Sequence, residues 1–268
     1  MDKQYFLNSL KEYRDTGIEQ QIDYKRAYYY SLITHSTAIE GSTLTEVENQ
    51  LLFDEGITAK GKNIIEQNMN IDLKAAYDRC FELIKEYTPF TKDLLKELSA
   101  LVMRRTGGSF SSLAGNFDSS KGEFRKLNVT AGFGGKSYLG FEKIDTRLNQ
   151  FCQEFNERRK SLLETPDEYE AYCLSFDVHN SLVAIHPWVD GNGRMSRLMM
   201  NYIQFEFNLP PSIILKEDKA EYINALVKSR EEESYIPFRE FMFSSHIRYM
   251  KEAIEQYTKE INRNGFRR

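Results

Sequence analysis

The stretch from residue 186 to residue 197 constrains the fold of this chain more than any other. It reads His-Pro-Trp-Val-Asp-Gly-Asn-Gly-Arg-Met-Ser-Arg and lies between two segments with a helical spacing of apolar residues. Proline disfavours the right-handed helical conformation in the residue before it, so the upstream helix should end at His186. The downstream segment predicts a helix with one apolar face. We therefore predict a helix, a tight turn and a second helix.

The predicted turn, residues 190–193, lies at the mouth of the second helix. Unpaired backbone N–H groups and the positive end of the helix dipole attract anions at such a position. Arg194, Arg197 and Asn201 stand at i, i+3 and i+7, so they share one stripe of that helix. Two arginines one turn apart favour a bound phosphate chain, because each charge-assisted contact is worth about 1.5–3 kcal/mol.

Two further side chains of the stretch suit phosphate chemistry. Asp190 is a suitable ligand for Mg²⁺ on the same phosphates. His186 titrates near neutral pH and can take a proton from a hydroxyl nucleophile. Each residue alone has a structural explanation, because a histidine at a helix end is usually a hydrogen bonder and Asp-Gly and Gly-Asn-Gly are usually turns. Their combination in one short stretch favours a binding site.

The stretch resembles the signature of the Fic domain family, HPFx(D/E)GNGRxxR, with Trp188 where phenylalanine is usual. This resemblance implies the transfer of a nucleotide monophosphate, usually AMP from ATP, to a Ser, Thr or Tyr hydroxyl of a protein, with release of pyrophosphate. The roles that it implies are a general base for His186, a Mg²⁺ ligand for Asp190, a phosphate cradle for Asn192 with the Gly191 and Gly193 backbone, and contacts to the β- and γ-phosphates for Arg194 and Arg197.

A second segment, from Ser36 to Gly41, ends a helix predicted over about residues 20–39, with Gly41 as the helix stop. By itself Glu40 is an ordinary carboxylate at a helix C-terminus, where the dipole mildly disfavours it. The segment is similar to the inhibitory motif (S/T)xxxE(G/N) of some Fic proteins. The resemblance implies that Glu40 pairs with Arg197 and blocks the γ-phosphate, while Ser36 helps to anchor the inhibitory helix.

Residues 106–143 are rich in Gly, Ser and Asn, a composition typical of loops. Within them, residues 122–130 are predicted to form a short hairpin arm, with an ordinary loop as the alternative. The corresponding segment of Fic proteins is a flap that pairs with the extended backbone of a target by strand addition. The resemblance implies that a target protein docks near residues 122–135, and Arg125 matches the recurrent flap arginine of the family.

Three helix starts are predicted from capping signals. Thr45 and Glu48 have the spacing of a capping box, and Thr91 is a suitable N-cap. Thr165 and Pro166 are predicted as the N-cap and first residue of the helix that leads to the signature.

Three further residues lie outside the two motifs, and the sequence says less about their roles. Asn201 and Tyr222 resemble family positions that line the adenine pocket, although either could equally be ordinary packing. His179 lies on a neighbouring face of the same helix as His186 and is interpreted as a packed structural histidine, because its spacing matches no metal motif.

Charge and composition narrow the kind of partner. The net charge of −4 over 268 residues provides no electrostatic case for nucleic acid or an anionic membrane. The N-terminus lacks a signal-type apolar region and no long apolar run occurs, so we expect a cytosolic protein without membrane contact. The three cysteines, Cys80, Cys152 and Cys173, fit helical patterns and are interpreted as reduced core residues. A homo-oligomer remains open.

The sequence as a whole predicts an all-α fold, a Fic-like helical bundle with a small β-hairpin flap. We expect an N-terminal helical region with the inhibitory helix in residues 1–90 and the Fic catalytic core in residues 91–268.

The expected function is that of an autoinhibited protein adenylyltransferase that uses ATP and Mg²⁺, on a target protein or on itself. Three alternatives stay open: removal of AMP with Glu40 positioning a water, a different nucleotide donor, and a non-catalytic regulator that binds nucleotide. A Doc-like kinase is disfavoured, because Gly193 occupies the position at which such proteins carry lysine.

Overall fold

The computed structural model describes residues 1–21, 24–131 and 135–265. Over these residues the chain forms ten α-helices and one two-stranded antiparallel sheet, which confirms the all-α prediction. The helices are α1 (Lys3–Asp15), α2 (Tyr24–Ile39), α3 (Glu46–Glu55), α4 (Ile64–Lys85), α5 (Lys92–Val102), α6 (Ile144–Glu164), α7 (Glu168–Ile185), α8 (Asn192–Glu206), α9 (Lys219–Glu231) and α10 (Ile236–Gly265). The strands are β1 (Ser109–Ser112) and β2 (Gly115–Asp118).

Two of the predicted helix starts are confirmed. Thr45 and Glu48 form a reciprocal capping box at α3, in which each side chain accepts a hydrogen bond from the backbone N–H of the other residue. Thr91 caps α5 by accepting from the Leu94 amide at 3.1 Å.

The third predicted start, at Thr165 and Pro166, was wrong by two residues. The N-cap of α7 is Asp167, whose carboxylate accepts from the Glu170 amide at 3.1 Å. The same carboxylate pairs with Lys3 of α1 at 2.6 Å. A charged cap satisfies the first-turn amides better than a hydroxyl and adds this tertiary contact, so the helix begins later.

The hairpin also differs from its predicted place. β1 and β2 precede the predicted arm, and residues 122–126 form no strand because they are bonded to the signature loop, as described below. Chain pairing starts at Val129, whose carbonyl accepts from the Tyr138 amide at 3.0 Å, and continues with a bridge between Thr130 and Ser137. We call residues 127–139 the flap; residues 132–134, part of the predicted docking segment, lie outside the described residues.

The packing of α7 against α8 forms the centre of the molecule. Both helices contribute almost wholly buried side chains to one apolar core, together with α2, α4, α5 and α6. A second core joins α1 and α10 to the other side of α7, where the Phe6 ring lies 5.0 Å from Tyr172 and 4.7 Å from Phe243. The first core takes residues from both sides of residue 90, such as Leu32 and Leu198, and the division there stays a prediction.

In the ranges that the structure describes, none of the helices has the length and apolar character needed to cross a bilayer.

Candidate active site

The signature forms the sharp connection between α7 and α8 that Pro187 predicts. His186 ends α7 in the left-handed conformation, at φ +52°, and its amide donates to the Leu182 carbonyl at 3.0 Å. α8 begins at Asn192, with Gly191 as its N-cap at φ +81°. A positive φ is sparsely populated by residues other than glycine, so the surrounding contacts must hold His186 in place.

Those contacts involve two residues of the loop. Trp188 is fully buried and its indole N–H donates to the Gly122 carbonyl at 3.0 Å. The Asn192 side chain accepts from the Trp188 amide at 3.1 Å and donates to the Trp188 carbonyl at 2.9 Å. The side-chain amide of Asn192 therefore shapes the loop. Of this residue, only the backbone N–H group is left for a ligand at the helix mouth.

The mouth of α8 is built without side-chain acceptors. Gly191 makes no side-chain cap, so the first-turn N–H groups are available to an anion. A Cβ on Gly191 would lie 2.7 Å from the Met103 sulfur. A Cβ on Gly193 would lie 2.3 Å from a Glu40 oxygen, so a side chain there would have to displace the Glu40 carboxylate. The positive φ of Gly191 favours glycine at that position by itself.

His186 lies beside this mouth in a partly buried position. Burial lowers its pKa to about 4, so the imidazole is neutral at neutral pH. One face of its ring stacks on Tyr138 of the flap, with centroids 3.8 Å apart and an interplanar angle of 15°. A neutral imidazole can accept a proton, as a general base must.

Arg197 is the most heavily bonded residue of the site. Its Nε donates to Ser36 Oγ at 2.8 Å and its Nη2 to the Ser36 carbonyl at 2.9 Å. Nη2 also donates to Glu40 Oε1 at 2.6 Å, and Nη1 donates to the Tyr222 hydroxyl at 3.3 Å. The structure thus brings Ser36, Glu40 and Arg197 together, as the sequence predicts.

Glu40 follows the last turn of α2, and Gly41 turns the chain away from it at φ +105°. Burial raises the pKa of this carboxyl, but the charge and hydrogen bond of Arg197 outweigh it and hold the pKa below its usual range. Glu40 is therefore an anion at neutral pH, and it occupies the space directly over Gly193.

Arg194 and Asp190 lie on the other side of the mouth. Arg194 is almost wholly buried and donates to the Val102 carbonyl at 3.4 Å and the Met103 sulfur at 3.2 Å. Asp190 is exposed, accepts from the Gly191 amide at 2.6 Å and lies 3.5 Å from Arg194. Arg194 is therefore held against α5 beneath the loop, while the carboxylate of Asp190 remains open to a ligand.

Asn201 and Tyr222 are both held by buried contacts. Asn201 accepts from the Tyr77 hydroxyl at 2.6 Å and borders a cavity of about 10 Å³, far too small for a purine. Tyr222 is buried between Arg197 and His179, whose Nε2 is 3.0 Å from the Tyr222 hydroxyl. These contacts fit the ordinary packing that the sequence left open, because the face of α8 that carries Asn201 packs against α4, and a place in the adenine pocket stays a prediction.

Sequence reasoning missed two residues of the site. Met103 packs against Gly191 and Arg194, and Tyr138 covers His186. Neither lies in a periodic pattern or motif that points to the site, because both come from segments that only the tertiary fold brings there.

The geometry defines a class of protein: a helical bundle with an uncapped helix mouth, a neutral histidine beside it and a carboxylate paired with an arginine of that helix. Residues 89–204 match the model of the Fic/DOC family. The chain is 32% identical over 220 residues to the protein adenylyltransferase Fic of Drosophila persimilis, covering 81% of this chain and 39% of that protein. The Drosophila melanogaster protein of the same name is also 32% identical, with 81% and 40% covered.

Solved structures share the fold. A Fic domain-containing signalling protein from Bacteroides thetaiotaomicron superposes with a TM-score of 0.75 at 20% identity, covering 94% of this chain and 97% of that chain. Fic-1 from C. elegans superposes with a TM-score of 0.73 at 22% identity, covering 96% and 73%. The chain belongs to the Fic/DOC family. It spans about two fifths of the length of the curated relatives described above.

Proposed function

We propose that this protein transfers AMP from ATP to a Ser, Thr or Tyr hydroxyl of a target protein, and that Glu40 restrains it. The observation that carries the proposal is the Glu40 carboxylate, 2.6 Å from Arg197 and directly over Gly193, within an otherwise open helix mouth. The relatives named protein adenylyltransferase support the type of transfer.

His186 is the proposed general base. Its neutral imidazole accepts the proton of the attacking hydroxyl as that oxygen bonds to the α-phosphorus. The bond from the α-phosphorus to the bridging oxygen breaks, and pyrophosphate leaves with the electron pair. Burial of the ring favours the neutral state that this step needs.

The mouth of α8 is the proposed phosphate site. The N–H groups after Gly191 and the helix dipole stabilise the charge that develops on the α-phosphate. Asn192 keeps the loop in shape through Trp188. We assign the β- and γ-phosphates to Arg194 and Arg197, which requires both guanidiniums to exchange present protein partners for phosphate oxygens.

Asp190 is the proposed Mg²⁺ ligand. Its exposed carboxylate fits a metal that takes one protein carboxylate and completes its shell with phosphate oxygens and water. No cluster of three or more His, Cys, Asp or Glu side chains capable of holding a metal is found in the described ranges, so a cage made only of protein ligands is not supported there. Bound Mg²⁺ would neutralise phosphate charge.

The proposal also covers the target protein and the compartment. We place the target protein at the flap, near residues 122–135, and the reaction in the cytosol, where ATP and Mg²⁺ are abundant. The paired backbone at Val129 and Tyr138 supports an extended docking edge, because a target strand can add to such a ladder. We keep residues 1–90 as the inhibitory region and residues 91–268 as the catalytic core.

The experiment that tests the proposal compares ATP labelled at the α-phosphate with ATP labelled at the γ-phosphate. We expect Glu40→Gly to transfer α-label at least about tenfold faster than the wild type, because it removes a charge-assisted contact worth about 1.5–3 kcal/mol. Adding His186→Ala should abolish transfer. Glu55→Gly, which removes an exposed carboxylate at the end of α3, is the matched control.

The isotopes separate the alternatives. Transfer of γ-label would mean that the protein is a kinase. Tight binding of ATP without transfer of either label, in every variant, would mean that the site is a nucleotide-binding regulator. Equal rates of α-label transfer by the wild type and by Glu40→Gly would show that Glu40 does not restrain the reaction.

A further inference from the structure

The general base has an aromatic partner on the flap. The rings of Tyr138 and His186 are nearly parallel, 15° from coplanar, with their centroids 3.8 Å apart. A parallel stack at this distance covers one face of the imidazole. Its two nitrogens lie on the edge of the ring, so the stack leaves their in-plane directions unobstructed.

The strand that carries Tyr138 is tied to the backbone of His186. Arg125 is almost wholly buried and its Nε donates to the His186 carbonyl at 2.8 Å. The same guanidinium donates to the Leu127 carbonyl at 2.7 Å and to the Leu139 carbonyl, one residue after Tyr138. One planar, rigid fork therefore fixes the base and both sides of the flap relative to each other.

A third layer covers the other face of Tyr138. The Arg230 guanidinium, on α9, lies over the Tyr138 ring at 5.3 Å from its centroid. It must lie on the face away from His186, because the imidazole already occupies the near face at 3.8 Å. A cation over an aromatic ring is attractive, so Arg230 holds Tyr138 in the stack.

We infer that Tyr138 is a positioning residue that holds the His186 ring in the orientation needed to meet the acceptor hydroxyl. The inference rests on the proposed transfer reaction and deepens it. A histidine in a sparsely populated backbone conformation has no helix to orient its ring, so orientation must come from contacts. The flat face of Tyr138 fixes the ring plane, and proton transfer depends on that plane.

Other groups near His186 act on it in different ways. Arg125 bonds to the carbonyl of His186 and leaves the ring untouched. Asp190 and Glu40 act on the imidazole through their charge, and charge at a distance does not fix a ring plane. The Val183 carbonyl, one turn earlier in α7, also interacts with the imidazole and raises its pKa against the effect of burial, so it acts on the ring edge while Tyr138 covers the ring face.

The test uses Tyr138→Phe and Tyr138→Leu in the Glu40→Gly background. Phenylalanine keeps the stack, and we expect most of the rate to remain. Leucine removes the flat face, and we expect kcat to fall roughly 10- to 100-fold while the KM for ATP stays the same. Tyr5→Leu is the matched control, because the Tyr5 ring also lies 5.3 Å from a cation, Lys251, but on α1.

A second readout needs no activity. The ring protons of His186, assigned by comparison with a His186→Gln variant, should show an upfield shift in NMR spectra from the current of the Tyr138 ring. The shift should persist in Tyr138→Phe and vanish in Tyr138→Leu. An unchanged spectrum in Tyr138→Leu would overturn the inference, and so would an unchanged or increased kcat, since an increase means that Tyr138 is a lid.

These readouts also separate the inference from the function on which it rests. If Glu40→Gly itself transfers no AMP, the proposed function fails. The NMR comparison still decides whether Tyr138 holds the imidazole.

Discussion

Under the proposed function, Arg197 is the residue at which restraint by Glu40 and binding of the γ-phosphate compete. Ser36, Glu40 and Tyr222 together use four N–H donations from its guanidinium. The guanidinium is buried, and the Glu40 charge raises its pKa against the effect of that burial. A γ-phosphate can replace Glu40 as the anion, while Ser36 and Tyr222 keep the arginine in place. Under the same proposal, Tyr222 would act on the nucleotide only through Arg197.

Removing the Tyr222 hydroxyl should lower stability more than it changes nucleotide binding. Tyr222→Phe deprives two buried groups, Arg197 Nη1 and His179 Nε2, of a partner. An unsatisfied buried polar group costs about 1–3 kcal/mol, so the midpoint of urea unfolding should fall with an unchanged slope. Tyr5→Phe, whose hydroxyl bonds to exposed Lys251, should leave the midpoint almost unchanged. If Tyr222→Phe instead weakens ATP binding and leaves the stability unchanged, Tyr222 lines the adenine pocket.

At the scale of elements, Arg125 is the buried side chain that anchors the flap. β1 and β2 pair with each other, but the flap ladder between residues 129–131 and 136–138 is short. A ladder of that length is marginal by itself. Arg125 supplies the missing anchorage through three carbonyls, those of Leu127, Leu139 and His186.

Arg125→Lys should loosen the flap while it keeps the positive charge. An ammonium lacks the planar fork and cannot reach three carbonyls in fixed directions. We expect faster hydrogen exchange of the backbone amides in residues 127–131 and 135–139, together with slower AMP transfer. Lys126→Met removes only an exposed contact to the Asn116 carbonyl and should leave exchange unchanged. Unaltered protection in Arg125→Lys would show that the flap is stable without the fork.

The features predictable from sequence are those decided by neighbouring residues. Pro187 predicts the end of α7, and Thr45 with Glu48 predicts the start of α3, because both signals act within a few residues. The position of the hairpin was wrong because Arg125 and the residues around it bond to a loop some 60 positions later in the chain. The burial of Asn201 depends likewise on which helix covers it. Tertiary contacts, absent from any local pattern, decide these cases.

At the scale of the molecule, α9 links the two halves of the site. Arg230 reaches the base through Tyr138, and Tyr222 reaches Arg197, so one helix contacts both the proton-transfer side and the phosphate side. α9 in turn packs on α10, which belongs to the second core. The geometry of the site therefore depends on the integrity of that core. His246 is buried against Phe6 and Tyr172 of this core.

Mild acid should therefore destabilise the whole fold. Burial lowers the pKa of His246 to about 3, lowers that of His186 to about 4, and lowers that of His179 well below its usual range. The unfolded chain has ordinary histidines with a pKa of about 6.5, so it binds more protons than the folded chain below that pH. Stability is then full above about pH 6.5 and declines as the pH falls. For His246 alone the loss at pH 5 is about 2 kcal/mol.

Urea unfolding between pH 8 and pH 5 measures this decline directly. His246→Asn should flatten the slope of unfolding free energy against pH by about one proton below pH 6, because one buried titrating group is gone. If that variant does not fold, the dependence of the wild type's unfolding free energy on pH still tests whether the fold holds these histidines neutral. A stability that is constant from pH 8 to pH 5 would mean that the unfolded chain takes up no extra protons, and that these histidines are not held neutral by the fold.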